Sequence, residues 1–175
     1  MRETVNQDVA HKKESAQRTL QIVVFRLGGE EYGLHIDQIK EVVLTPSITK
    51  VPQTPDYVKG VANIRGNVIA IFDLEDRFGL THSQAIKSGK YTLVVESEEV
   101  KMGLLVNEVP NTISVNTADL DESVGIINDA NTDTQYIKGI IKSGARLIIL
   151  IDIFKVIDQD LNFTIKKNAV QTQSV

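Results

Sequence analysis

Tyr57-Val-Lys-Gly-Val-Ala-Asn-Ile-Arg-Gly-Asn-Val-Ile-Ala-Ile-Phe-Asp73 reads as two short apolar strands, Val61–Ile64 and Val68–Phe72, joined by a tight turn. Gly66 and Asn67 are placed in that turn, because both residue types adopt positive φ at little cost. Arg65 stands where the chain enters the turn, a position from which a planar cation points to solvent. The pattern returns as Tyr136-Ile-Lys-Gly-Ile-Ile-Lys-Ser-Gly-Ala-Arg-Leu-Ile-Ile-Leu-Ile-Asp152. Laid together without a gap, Tyr57 meets Tyr136, Lys59 meets Lys138, Gly60 meets Gly139 and Asp73 meets Asp152. Most positions between these anchors exchange one apolar residue for another.

An ungapped match of this kind is an internal repeat, and two copies are too few for a solenoid. It predicts two related β units in one chain. Upstream, Gly33-Leu-His-Ile-Asp-Gln-Ile39 resembles Gly103-Leu-Leu-Val-Asn-Glu-Val109, but the path from there to the tyrosine is nine residues longer in the second copy. The surplus is assigned to a loop within Thr117–Gln135.

Working outward, Leu20–Leu27 is a β-branched run that stops at Gly28-Gly29, and Glu30–Leu34 resumes it, so the glycine pair marks a hairpin turn. Ile36, Ile39 and Lys40 suit one helical turn before a third strand, Glu41–Leu44. Pro46, Pro52 and Pro55 forbid a central strand or a helix across the next segment. Asp73–Gly79, with Leu74 and Phe78 four apart, an acidic first turn and a closing glycine, predicts a short capped helix. Thr81–Lys90 is a polar connector. Tyr91–Val95 and Lys101–Val106 make another hairpin, Asn111–Val115 a further strand, Thr117–Asp133 an acidic loop, and Asp152–Leu161 a longer counterpart of the Asp73 helix. Residues 1–19 read as a disordered leader and residues 162–175 as a frayed tail. Many short strands with frequent turns predict an all-β protein built of small closed barrels sharing one core, because closure removes exposed edges.

A chain of 175 residues with net charge −4 buries a proper core but is no phosphate-backbone binder. It has no cysteine, which removes disulfides, thiolate zinc sites and cysteine nucleophiles together. No signal-peptide h-region or membrane-length apolar run is present, so the expected location is cytoplasmic. His11, His35 and His82 enter no triad pattern, and neither a dinucleotide nor a Walker glycine motif occurs. Asp129-x-Asn131-x-Asp133 begins like a calcium loop, yet carries Thr134 where glycine is needed and Ile140 where a bidentate glutamate belongs. No catalytic residue, metal or cofactor is therefore expected. What remains is surface polarity around the first copy: Lys59, Asn63 and Arg65 at one end, with Glu41 on a neighbouring strand. The second copy keeps Lys138 but has Lys142 and Gly144 where the first has Asn63 and Arg65. A duplicated module with unlike faces suits the holding of two different partners. A nucleic-acid or ligand-binding small barrel is the alternative; it calls for a basic groove with exposed aromatics.

Phe25-Arg-Leu-Gly-Gly-Glu-Glu-Tyr-Gly33, Ile39-Lys-Glu41, Val51-Pro-x-Thr-Pro-x-Tyr-Val-Lys-Gly60, Asn63-Ile-Arg-Gly66 and Phe72-Asp-Leu-Glu-Asp-Arg-Phe-Gly79 together resemble the CheW-type chemotaxis coupling proteins. The resemblance implies two intertwined SH3-like five-stranded β-barrels with a short linking helix and a C-terminal helix. The first barrel would span about 20–80 with swapped strands and the second about 90–161. It also implies a non-enzymatic adaptor linking the cytoplasmic tip of methyl-accepting chemoreceptors to the regulatory domain of the CheA histidine kinase. The receptor's helical hairpin would lie in the groove between the barrels. Receptor-contact positions would fall on Ile39, Glu41, Lys59, Gly60 and Arg65, with Asn63 beside them, and Gly60 would let the receptor helix come close. The chain departs from the family pattern at Ile64, where leucine is usual, and at His35, where an acidic residue is usual.

Overall fold

A computed structural model describes residues 18–80, 89–123 and 135–157. The strands are β1 (Thr19–Leu27), β2 (Glu30–His35), β3 (Ile39–Leu44), β4 (Val58–Ile64), β5 (Asn67–Phe72), β6 (Tyr91–Glu96), β7 (Lys101–Val106), β8 (Asn111–Asn116), β9 (Leu120–Asp121), β10 (Ile137–Ser143) and β11 (Arg146–Ile151). One helix, α1 (Leu74–Arg77), follows β5, and a second, α2, runs through residues 153–157. The protein is mainly β, as expected. All of the leader but Arg18 and Thr19, most of the Thr81–Lys90 connector, the first six positions of the candidate calcium loop, and the tail lie outside the described residues, as do His11 and His82; the loop's twelfth position, Ile140, lies in β10.

The strands form two sheets, in the orders β8-β1-β2-β11-β10-β9 and β3-β6-β7-β5-β4. Sheet membership does not follow the chain. The first hairpin pairs in parallel with the second half, through β2 and β11, while β5 of the first half pairs in parallel with β7. Each sheet thus exchanges a hairpin with the other, which is the intertwining expected.

Both rings close by the same device. After β3 the chain turns back so that Thr49 bridges Val61 on β4, with two backbone hydrogen bonds of 2.8 and 2.9 Å. After β8 a 3-10 turn, Thr117–Asp119, leads into β9, which pairs with β10. Residues 117–121 are therefore not the start of a loop, as the acidic composition suggested, but the strap that seals a barrel. Their pairing is through backbone groups, which composition does not report. The strap adds a sixth, two-residue strand to one sheet; the other has the five expected.

Closure accounts for the repeat's glycine. A Cβ on Gly60, whose φ is +139°, would stand 2.1 Å from the Thr49 carbonyl oxygen, and one on Gly139 2.7 Å from that of Asp121. Both mark a register shift in their hairpin. The tyrosine and aspartate anchors are explained too: the Asp73 N–H donates to the Tyr57 carbonyl at 2.8 Å, and Asp152 N–H to that of Tyr136 at 2.7 Å. Each aspartate then caps the helix that follows, Asp73 accepting from the N–H groups of Glu75 and Asp76 and Asp152 from those of Phe154 and Lys155.

There is more than the single core expected. Ile22, Val24, Ile141, Ile148 and Leu150 fill one barrel, and Ala62, Ile64, Ile69, Ile71 and Val94 the other. The largest cluster draws on both sheets: Phe25, Leu34, Leu93, Leu104 and Ile151, with Leu74 of α1 and Val156 of α2. Strands buried on both faces explain it. Along β1, Ile22 and Val24 turn into the barrel while Val23, Phe25 and Leu27 turn to the shared core, so the strand reads as a continuous apolar run and not as an alternation.

Candidate partner-binding site

The central turn differs from its sequence reading by one residue. Ile64 pairs with Asn67, so the two turn residues are Arg65 and Gly66, at φ 50° and 84°. Positive φ at both is the type I′ pattern that matches strand twist. Asn67 already belongs to β5. In the second copy, among the turn residues Gly144 and Ala145, only the glycine has positive φ, at 62°. Arginine in the left-handed region carries a strain of about 1 kcal/mol that glycine does not. The turn compensates locally, as Asn63 Oδ1 accepts from Gly66 N–H at 2.9 Å.

This conformation aims the guanidinium across the sheet. Arg65 Nε donates to Glu41 Oε2 at 2.6 Å, with the arginine side chain 73% exposed and the glutamate 19%. Glu41, Asn63 and Arg65 thus meet at one end of the first barrel. Val42, on the strand that carries Glu41, and Val68, just past the turn, are exposed, as is Leu44 at 69%.

Lys59 does not join that group. It lies four residues back along β4, about 13 Å by strand rise, and its ammonium is held by Asp76 of α1, with Asp73 at 4.0 Å. The second copy repeats this, Lys138 standing 3.9 Å from Asp152. The repeat's lysine is therefore tied to the helix after its hairpin. Asp73 is buried, and burial lifts its carboxyl above the ordinary aspartate value; the charge of Asp76 adds to the rise, while the N–H groups of Asp76 and Glu75 and the Lys59 ammonium oppose it. Ile39 is partly buried against the shared core, not level with Glu41, because a register shift separates the two on β3. Gly60 is buried, and the space above its Cα holds Thr49 of the same chain. The expected site thus resolves into an exposed polar end, a tethered lysine, and two residues that serve the barrel and its core.

The sequence reading missed a second ion pair of similar form. Arg146 grips Glu31 with two hydrogen bonds of 2.8 Å, and Arg26 approaches the same carboxylate to 3.9 Å. The arginine's hydrogen bond holds the Glu31 carboxyl below its ordinary value, with burial opposing. These residues are 115 apart in the chain, and only the parallel pairing of β2 with β11 brings them together. Among the described residues no group of three or more His, Cys, Asp or Glu is placed to hold a metal ion, and no helix is long and apolar enough to cross a membrane.

Two barrels that exchange hairpins, close by the same strap and present ion pairs and exposed aliphatics define a duplicated recognition module. Comparison with known proteins supplies the family. The CheW-like domain matches residues 21–161, and the chain belongs to that family. It is 32% identical over 149 residues to the chemotaxis protein CheW of Helicobacter pylori, covering 85% of this chain and 88% of that one. To the chemotaxis protein CheW of Treponema pallidum it is 30% identical, over 77% and 80% of the two chains. Among solved structures, the scaffolding protein TtCheW of Thermoanaerobacter tengcongensis superposes with a TM-score of 0.66 at 34% identity, covering 77% of this chain and 90% of that one. The chain is a chemotaxis scaffold of the CheW type.

Proposed function

We propose that this chain is a non-enzymatic adaptor that couples the cytoplasmic tip of methyl-accepting chemoreceptors to the regulatory domain of the CheA histidine kinase. It would act in the cytoplasm, recruited to receptor arrays at the membrane, and without a cofactor. The observation that carries the receptor half is the group at the central turn. Arg65 is held in a strained conformation, ion-paired to Glu41 and flanked by Asn63, whose cross-strand partner Val68 is exposed. A receptor helix offers an apolar stripe bordered by charges, and this face answers with an aliphatic surface bordered by a cation and an anion. Lys59 contributes through the carboxylates that hold it, Ile39 through the wall of the groove, and Gly60 through the closed barrel that fixes the strand. For the kinase, exposed Leu44 of the first barrel and Leu147 and Val109 of the second are suitable apolar anchors.

Arg65→Glu places two carboxylates at the face. Exposed pairs of this kind contribute at most about 1 kcal/mol, so the fold should survive and receptor binding should weaken about fivefold to tenfold. Unchanged circular dichroism with unchanged affinity for a receptor cytoplasmic fragment would overturn the assignment.

A further inference from the structure

Glu75 is a carboxylate only 5% exposed, at the second position of a four-residue helix whose cap is already supplied by Asp73. A buried polar group is costly unless hydrogen bonds hold it. Its Oε1 accepts the N–H of Gly28 at 3.0 Å, across 47 residues of chain. Gly28 is in the turn between β1 and β2, at φ +57°, and the turn fits closely: a Cβ there would stand 3.0 Å from the Cβ of Leu80. That hairpin pairs with β8 and β11, so it belongs to the sheet that holds β10 and β11, whereas α1 follows directly from β5 of the other sheet. The hydrogen bond therefore crosses from one barrel to the other.

The same short helix also holds Lys59, which enters the receptor reading through the carboxylates that tether it. Asp76 holds the Lys59 ammonium on β4, and Phe78, at the helix's end, stacks between Tyr32 of the hairpin and Tyr136 of the second copy, with ring centroids 5.7 and 5.0 Å apart. Glu75 and Asp76 are consecutive in one helical turn, so a single peptide unit separates the Gly28 contact from the Lys59 contact. On the far side of the hairpin, Glu31 is clamped by Arg146 of β11. The aromatic stack and the shared core hold the barrels together without direction, whereas the Glu75 hydrogen bond has a fixed direction.

We propose that Glu75 is a positioning residue that ties the Lys59 end of the first barrel to the hairpin that packs in the second, so that receptor engagement of β4 between Arg65 and Lys59 is felt at Gly28 and Glu31. The inference rests on the receptor reading above. The test is a titration of the full-length, isotopically labelled chain with a chemoreceptor cytoplasmic fragment, followed by amide chemical shifts. In the wild type, Gly28 and Glu31 move together with Lys59 and Arg65. In Glu75→Ala the fragment still binds and still moves Arg65, but the Gly28 and Glu31 shifts collapse; Glu75→Gln, which retains a carbonyl acceptor, restores most of them. A purely structural glutamate would lower stability without separating the two sets of shifts. The inference is overturned if Gly28 stays silent in the wild type, or if Gly28 and Glu31 move as far in Glu75→Ala as in the wild type. Should Glu75→Ala not fold, hydrogen exchange of the wild-type Gly28 amide decides: a change of about fivefold or more on saturation supports the tie, and no change removes it. Silence at Lys59 and Arg65 together would remove the receptor reading and this inference with it, whereas silence at Gly28 alone removes only the inference.

Discussion

Replacing Gly60 with alanine puts a Cβ 2.1 Å from the Thr49 carbonyl oxygen, 2.7 Å from its carbon and 3.0 Å from Ile48 Cγ2, at a φ of +139°. None of these neighbours is the free end of a flexible chain, so the strap must lift. Lifting it breaks the Thr49 N–H to Val61 and Val61 N–H to Thr49 hydrogen bonds, each contributing about 1 kcal/mol. A non-glycine residue at that φ adds strain of about 1–3 kcal/mol. The expected destabilisation is about 3–5 kcal/mol, a large part of a small protein's stability. Gly139→Ala is the control: its Cβ would meet the Asp121 carbonyl at 2.7 Å, and its φ lies outside the left-handed region, so about 1–2 kcal/mol is expected on the same grounds. Urea unfolding measures both, as midpoint shifts at unchanged slope. A Gly60→Ala cost below about 1 kcal/mol, or one smaller than that of Gly139→Ala, would refute the closure account. Receptor binding sharpens the contrast. If Gly60 served only to admit a receptor helix, alanine would abolish binding and leave stability untouched.

Phe78→Ala should cost about 2–3 kcal/mol, less than a fully buried phenylalanine, because the ring is partly exposed yet bridges Tyr32 and Tyr136; calorimetry measures it. Arg146→Met should flatten the acid limb of the stability curve. Glu31 has its pKa lowered in the folded state, so its contribution is complete above its ordinary value of 4.5 and is lost as pH falls through the folded value. The gap between wild type and variant, followed by denaturation against pH, should therefore be constant near neutrality and close below about pH 4.5. Raising salt from about 0.05 to 0.5 M should weaken receptor-fragment binding in the wild type more than in Arg65→Ala, because the charges at that face are exposed to screening.

Much of this fold is legible in local sequence. The ungapped repeat announced two like units, and the anchors keep their spacing because each does a fixed job: the tyrosine carbonyl receives the aspartate N–H, the aspartate caps a helix, and the glycine makes room for the strap. The glycine pair of the first hairpin, the prolines after β3 and the acidic start of α1 were readable because turns and caps depend on residues a few positions apart. The pairing of Glu41 with Arg65 was half legible, since both were placed on neighbouring elements. The position of the central turn was not: Arg65 takes the left-handed site that Asn67 was expected to fill, because the register of the hairpin is set by the core face of β4 and β5 and overrides the residue preference.

Other features had no local trace. Which hairpin joins which sheet, the seal made by Thr49 and by β9, the capture of Lys59 by Asp76, the clamp of Arg146 on Glu31 and the reach of Glu75 to Gly28 all depend on groups distant in the chain. Side-chain period and turn chemistry specify that a strand has two buried faces and where it ends. They carry no information about the neighbour that covers those faces. That choice belongs to the packing of the whole chain, because the shared core forms only when both hairpins have crossed.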